Sequence, residues 1–244
     1  MVRSRVLDID CFVGDLDSAV DAVIRRALSG EGGLACCANA HVLVTSQRNE
    51  ELKLALQSSW TVFPDGSPVA WLQRRSGFVS AQRIAGPDLM PAVLDRGDRA
   101  GCGTFSSDRR DPLLTQSRRG SWRCSRVSRS SAPRLRARAT RTWRRCWIRF
   151  GRASLTFVWI ALGAPKQEVW AQRHRTHFGS SLLLPVGAAF DFIAGAKPRA
   201  PEWMQENGLE WLHRLGTEPR RLGWRYLSTN SVFLLRALRE LSYR

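Results

Sequence analysis

The chain reads as an α/β protein, a Rossmann-like parallel sheet with crossover helices followed by a basic helical appendage. Four times an apolar, strand-like run leads through a small or turn residue into a helical pattern. No apolar run is long enough to be anything but a strand or a short helix, and from Pro201 the text changes to Trp, Glu and Arg with long apolar intervals. Repeated strand, tight turn and helix is the pattern of parallel strands joined by crossover helices.

Residues 34–38 are predicted as a strand leading through Asn39 into a helix over 40–49. A second strand at 60–63 runs into Phe63-Pro64-Asp65-Gly66, where Asp65-Gly66 marks a turn. Ser67 is then the expected N-cap and Pro68 the first helical residue of a helix ending at Arg75. A third unit runs from 155–162 through Gly163 to a helix opening at Pro165, and a fourth from 182–186 through Gly187 to 188–193. Helix N-termini at such turns carry free backbone N–H groups, which suits a phosphate-bearing ligand. In the tail, residues 222–241 are predicted helical, with Leu227, Leu234, Leu238 and Leu241 on one stripe and Arg225, Arg236 and Arg239 off it. That stripe can pack on the body or dock on a membrane surface.

Two units follow: a core over 1–200 and a membrane-associating, site-completing appendage over 201–244. At 244 residues with 43% hydrophobic content the chain can bury a real core. Its apolar runs fall far short of the roughly 20 residues that cross a bilayer, and the acids at Asp8 and Asp10 interrupt any signal-peptide core. A cytoplasmic protein is expected, with its six cysteines as thiols, since they show no C-x-x-C pair or zinc spacing.

The net charge of +17 is concentrated. Between Pro112 and Leu162 stand 13 arginines and no acid, which leaves +4 for the remainder. Over 101–154 the Arg-, Ser-, Trp- and Cys-rich text has no sustained helix or strand period, so this stretch is expected to be poorly ordered. Three readings compete: a disordered basic insert, a nucleic-acid arm, and translation of a shifted reading frame of GC-rich DNA. The abrupt borders with well-formed α/β text favour the last.

Several segments in order carry a resemblance: Asn39-Ala40-His41, Phe63-Pro64-Asp65-Gly66, Gln82-Arg83-Ile84-Ala85-Gly86-Pro87-Asp88-Leu89, Gly163-Ala164-Pro165-Lys166-Gln167-Glu168, Val186-Gly187-Ala188-Ala189-Phe190-Asp191 and Leu209-Glu210-Trp211-Leu212-His213-Arg214. Together they resemble the WecG/TagA/CpsF glycosyltransferases over about 5–100 and 155–240. The resemblance implies inverting transfer of a sugar from a UDP-sugar to a saccharide on undecaprenyl diphosphate, at the inner face of a bacterial membrane. Teichoic acid linkage units and exopolysaccharides are made this way. No cofactor or metal is implied. Partners implied are the sugar nucleotide, the lipid-linked acceptor and an anionic membrane surface, with no specific nucleic acid. Oligomeric state stays open, because the apolar tail can close on its own body, on a second copy as a homo-oligomer, or on lipid.

Asp65 matches the family's base, which takes the proton from the acceptor hydroxyl; read alone, an Asp beside Gly is also a common turn former. Cys37 stands where relatives usually carry Thr, which weakens a hydrogen bond there. Asn39 and Arg83 match pocket positions that bind sugar or phosphate oxygens, against a helix cap and a surface ion pair as the plainer alternatives. Gln167 matches a ligand-gripping amide, against a solvated first-turn residue, and Asp191 is a weaker candidate for contact with the nucleotide. Arg214, Arg221 and Arg225 match the cations that would take up charge on a leaving diphosphate, or else simply attract anionic lipid at about 1 kcal/mol each. Two other classes compete with the transferase: an Arg-rich nucleic-acid-binding protein, and an inactive membrane-docking remnant.

Overall fold

The computed structural model describes residues 1–100, 102, 104–108, 114–116, 122–124, 156–193, 199–206, 208–217 and 219–242. The elements are β1 (Arg3–Val6), β2 (Ile9–Phe12), α1 (Leu16–Leu28), β3 (Gly33–Ala38), α2 (Ala40–Ser46), α3 (Glu50–Gln57), β4 (Thr61–Pro64), α4 (Ser67–Arg75), α5 (Gly86–Arg99), β5 (Thr104–Asp108), β6 (Leu114–Gln116), β7 (Trp122–Cys124), β8 (Phe157–Ala161), α6 (Lys166–His174), β9 (Leu182–Pro185), α7 (Ala189–Ile193), α8 (Glu202–Glu206), α9 (Glu210–Thr217) and α10 (Pro219–Ser242). The strands form one sheet in the order β1-β2-β4-β3-β9-β8-β5-β6-β7. From β2 to β5 every pairing is parallel, while β1 and the β6-β7 pair add antiparallel edges. This is the α/β class expected from the sequence.

The strands are buried on both faces because alternate side chains serve two separate cores. Leu34, Cys36 and Ala38 of β3 and Val158 and Ile160 of β8 point to the side covered by α2, α3, α4, α6 and α10. Ala35, Cys37, Phe63, Phe157 and Trp159 point to the side covered by α1, α5 and α7. The chain leaves β3 into α2 on the first side and leaves β9 into α7 on the second. Neighbouring strands whose connections part in opposite directions open a crevice at their C-terminal ends, where α/β proteins place ligands.

Two sequence expectations need correction. The N-cap of α4 is Gly66, at φ +108°, with Ser67 already helical. Only glycine adopts that conformation without strain, so the turn rather than a hydroxyl sets where this helix starts. Within 101–154, expected to be aperiodic, β5 continues the parallel sheet beside β8, and β6 and β7 extend it. The rest of that stretch lies outside the described residues. On α10 the predicted leucine stripe is divided: Leu241 packs against the first core, and the Leu227 side chain lies outside the described residues. Phe233 and Ala237 are buried against the first core, while Leu234, Leu235 and Leu238 are exposed. Helix α10 lies along α2, and its Glu240 carboxylate accepts from the Leu7 backbone N–H at 3.3 Å, which ties the tail to the β1-β2 turn.

Candidate active site

At the C-terminal end of β4, the Asp65 backbone N–H donates to the Ala38 carbonyl at 3.0 Å, which locks the turn after β4 against the end of β3. The segment after α4 then runs back past the same strand: Gln82 N–H donates to Gly14 O at 3.1 Å and Ile84 N–H to Pro64 O at 2.9 Å. Those two bonds hold Arg83 at the rim beside Asp65. A cavity of about 370 Å³ opens there, lined by Asn39, His41, Asp65, Ser67, Trp71, Arg83, Glu210, Trp211, Asn230 and Phe233 among others. Its size falls in the range of small-molecule sites. Polar groups sit at the sheet end, and Trp71, Trp211, Phe233 and Leu234 wall the side formed by α4 and the tail.

Arg83 is a mostly buried guanidinium held by two carboxylates. It donates to Glu210 at 2.6 Å and to Asp88 at 3.0 Å, and Asp88 in turn receives Arg199. Burial works against its charge, but Glu210, Asp88 and Asp65 outweigh that and raise its pKa. It therefore stays cationic at the cavity wall, and through Glu210 it fastens α9 over the site. Gly208, at φ +72°, lies so close to α4 that a Cβ there would stand 2.6 Å from Ser67 Oγ.

Asn39 caps α2, its Oδ1 accepting from Val42 N–H at 3.1 Å, and it lines the cavity as well. The helix-cap reading of that residue is met, and the same side chain stands at the cavity. Arg83 forms an ion pair, as its plainer alternative had it, but a buried one that reaches 127 residues along the chain. Cys37 belongs to the second core, 6% exposed, with its thiol pushed up by burial and by the Asp65 charge, and it does not line the cavity. Asp191 lies in α7, which follows β9, and is not among the lining residues. Arg214 is on α9 and Arg221 and Arg225 are on α10; their side chains lie outside the described residues.

Gln167 is 4% exposed rather than solvated. It sits behind the Gly163 turn after β8, accepting from Gly163 N–H at 3.1 Å and donating to Glu168 Oε1 at 2.8 Å. In the order β4-β3-β9-β8 this turn lies three strands from Asp65, roughly 14 Å along the rim. Gln167 does not line the cavity that holds Asp65 and Arg83, so it shares their rim of the sheet without being brought together with them.

A family model for the WecG/TagA/CpsF glycosyl transferases matches residues 4–244. The chain belongs to that family. As a WecG/TagA/CpsF protein it is a glycosyltransferase of cell-surface polysaccharide synthesis, working in general with a sugar-nucleotide donor and a lipid-linked acceptor. The match runs from the first strand to the end of the tail, so core and appendage belong to one family unit. Sequence reasoning gave no role to His41, Trp71, Glu210, Trp211 or Asn230, which this family member places on the cavity wall. His41, Glu210 and Trp211 stood inside motifs already singled out, whereas Trp71 and Asn230 had no local signal.

Proposed function

We propose that this protein moves a sugar from a UDP-sugar to a saccharide carried on undecaprenyl diphosphate, with inversion at the anomeric carbon. The observation that carries the reading is that a carboxylate and a fixed guanidinium, Asp65 and Arg83, share one cavity at the ligand-bearing edge of a parallel sheet. The acceptor hydroxyl oxygen attacks the anomeric carbon as the bond from that carbon to the diphosphate oxygen breaks. The hydroxyl proton passes to the Asp65 carboxylate, and UDP departs with the bonding pair. Arginine suits the leaving diphosphate because its charge persists and its planar fork matches phosphate oxygens. Arg83 and the tail arginines Arg214, Arg221 and Arg225 are the cations proposed for this work, and the transfer is expected to continue in a metal chelator.

The lipid-linked acceptor calls for contact with a membrane surface, and the exposed residues of the tail support it. Trp203, Trp211, Leu212, Leu234, Leu235 and Leu238 are exposed, with Arg236 and Arg239 on the same helix as the leucines. No helix among the described residues is long and apolar enough to cross a membrane. Docking at the inner face of the bacterial membrane, with apolar groups inserted and arginines on anionic headgroups, is the mode proposed.

Radiolabelled transfer from a panel of UDP-sugars to a lipid-diphosphate-linked acceptor tests the reading. We expect transfer from one donor and a loss of about 10²–10⁴-fold in Asp65→Asn, the usual worth of a positioned base. No transfer from any donor would end the proposal, and near-normal turnover in Asp65→Asn would remove that residue from it.

A further inference from the structure

The side chain of Glu168 is fully buried on the inner face of α6, yet it is an acid and belongs to no ion pair among the described residues. Glu168 and Ala171, three residues apart, face the sheet together, and the Glu168 charge is felt by Cys36 and Cys37 on β3. Its Oε1 accepts from Gln167 Nε2 at 2.8 Å, while Oε2 has no hydrogen-bond partner among the described residues. Burying a carboxyl this way is unfavourable, so packing alone would favour an apolar side chain here.

What the carboxyl does to its neighbour supplies a reason. A glutamine amide has nearly the same shape in its two flipped orientations and differs only in which atom faces which partner. Gly163 N–H is a donor and needs the amide oxygen, at 3.1 Å. The Glu168 oxygen is an acceptor and needs the amide nitrogen. Both partners therefore select the same orientation, and the carboxyl can accept through Oε1 whether or not Oε2 carries a proton. One Nε2 hydrogen is consumed by Glu168 and the second is left over. Gly187, at φ +60°, keeps the space beside this amide clear, since a Cβ there would stand 3.6 Å from Nε2. Around Gly163 a Cβ would meet nothing within 4 Å. The amide thus lies between two glycine turns at the C-terminal ends of β8 and β9, next to the N-terminus of α6, where an anionic oxygen is favoured.

We propose that Glu168 is a positioning residue: its buried carboxyl fixes the flip of the Gln167 amide so that an N–H, and not a carbonyl oxygen, is offered to a diphosphate oxygen of the nucleotide in the crevice between β8 and β9. This rests on the donor reading given above and adds to it the residue that sets the polarity of the amide. Without Glu168 only the Gly163 N–H still selects this orientation, and an amide that turns aims its oxygen at the anion it is meant to hold.

The test is a double-mutant cycle read by calorimetric binding of UDP to the full chain. Gln167→Leu and Glu168→Leu should each weaken UDP by roughly tenfold, the scale of one hydrogen bond to a charged group. The double variant should bind no worse than Gln167→Leu, because both remove the same contact. Glu168→Gln, whose carbonyl can still accept, should stay within about twofold of wild type. Additive losses, or Glu168→Leu binding as wild type does, would overturn the positioning role while leaving the donor reading intact. A wild-type chain that binds no UDP would overturn both. If Glu168→Leu fails to fold, the Gln167 side-chain NH₂ resonances of the wild-type protein decide instead. Two resolved, exchange-protected signals, one of which moves on adding UDP, support the proposal, and a degenerate, rapidly exchanging pair overturns it.

Discussion

The substitution Glu168→Gln should change how the stability of this protein depends on pH. Burial, working against the Gln167 hydrogen bond, pushes the Glu168 carboxyl from 4.5 up to about 7 in the folded chain. Below pH 4.5 the group is protonated in both folded and unfolded states, and its contribution to stability is whole. As pH rises from 4.5 toward 7 the unfolded chain gives up its proton while the folded chain keeps it, so stability falls with rising pH. Above about 7 both states are ionised and the loss is complete. At about 1.4 kcal/mol for each tenfold difference in proton affinity, the loss amounts to on the order of 3 kcal/mol. The amide of the variant cannot titrate, and its carbonyl can take the same hydrogen bond from Gln167. Urea denaturation of both proteins from about pH 4 to 8 supplies the comparison, with equal m-values confirming that the same surface is exposed. In the wild-type minus variant difference the other titrating groups cancel, so the difference should fall by about that amount across the window. A difference that stays flat, or one that rises with pH, would show that the carboxyl is not held in a dry environment and would refute the reasoning.

The tail offers a paired prediction: Phe233→Ala should cost about 3–5 kcal/mol and expose α10 to protease, whereas Leu235→Glu on the opposite face should change stability by less than about 0.5 kcal/mol and abolish binding to anionic vesicles. Equal destabilisation by the two would mean that the buried face has been misassigned. Gly208→Ala forces a Cβ against Ser67 and a left-handed backbone onto alanine, so it should cost at least about 1–2 kcal/mol, seen as a lowered Tm; an unchanged Tm would place the tail away from α4. Resequencing the coding DNA over codons 101–154 should reveal a second frame that reads as α/β text, and ordinary codon usage in the present frame would exclude this.

The units β3-α2, β4-α4, β8-α6 and β9-α7 were each legible from the chain alone, because an apolar run, a turn former and a helical pattern are all local signals. Asp65 stood out for the same reason, as the acid in the turn after a strand, whereas Asn39 and Gln167 were singled out through the motifs they share with the family. Arg83 was found only through its motif, since no periodicity distinguishes an arginine at a rim from one on a surface. The start of α4 was misread by one residue because Ser67 and Gly66 both suit a helix N-terminus, and only the backbone angle at Gly66 chooses between them. Strand β5 went unseen because the pairing that makes it a strand, beside β8, comes from about fifty residues further along.

What the chain could not carry in any short window is everything settled by which surfaces meet. Sheet order puts the Asp65 and Gln167 turns on one rim three strands apart, and no neighbouring residue encodes that order. On α10 the fit against α2 buries Phe233 and Ala237 while leaving Leu234, Leu235 and Leu238 outside. Glu168 reads as an ordinary first-turn acid until the sheet closes over it, and Glu210 acquires its partner Arg83 only when the tail folds back across the cavity. Local preference decides the kind of element, since it acts through neighbouring backbone. Burial and charge pairing depend on atoms far away in the chain, so they exist only once the chain has folded.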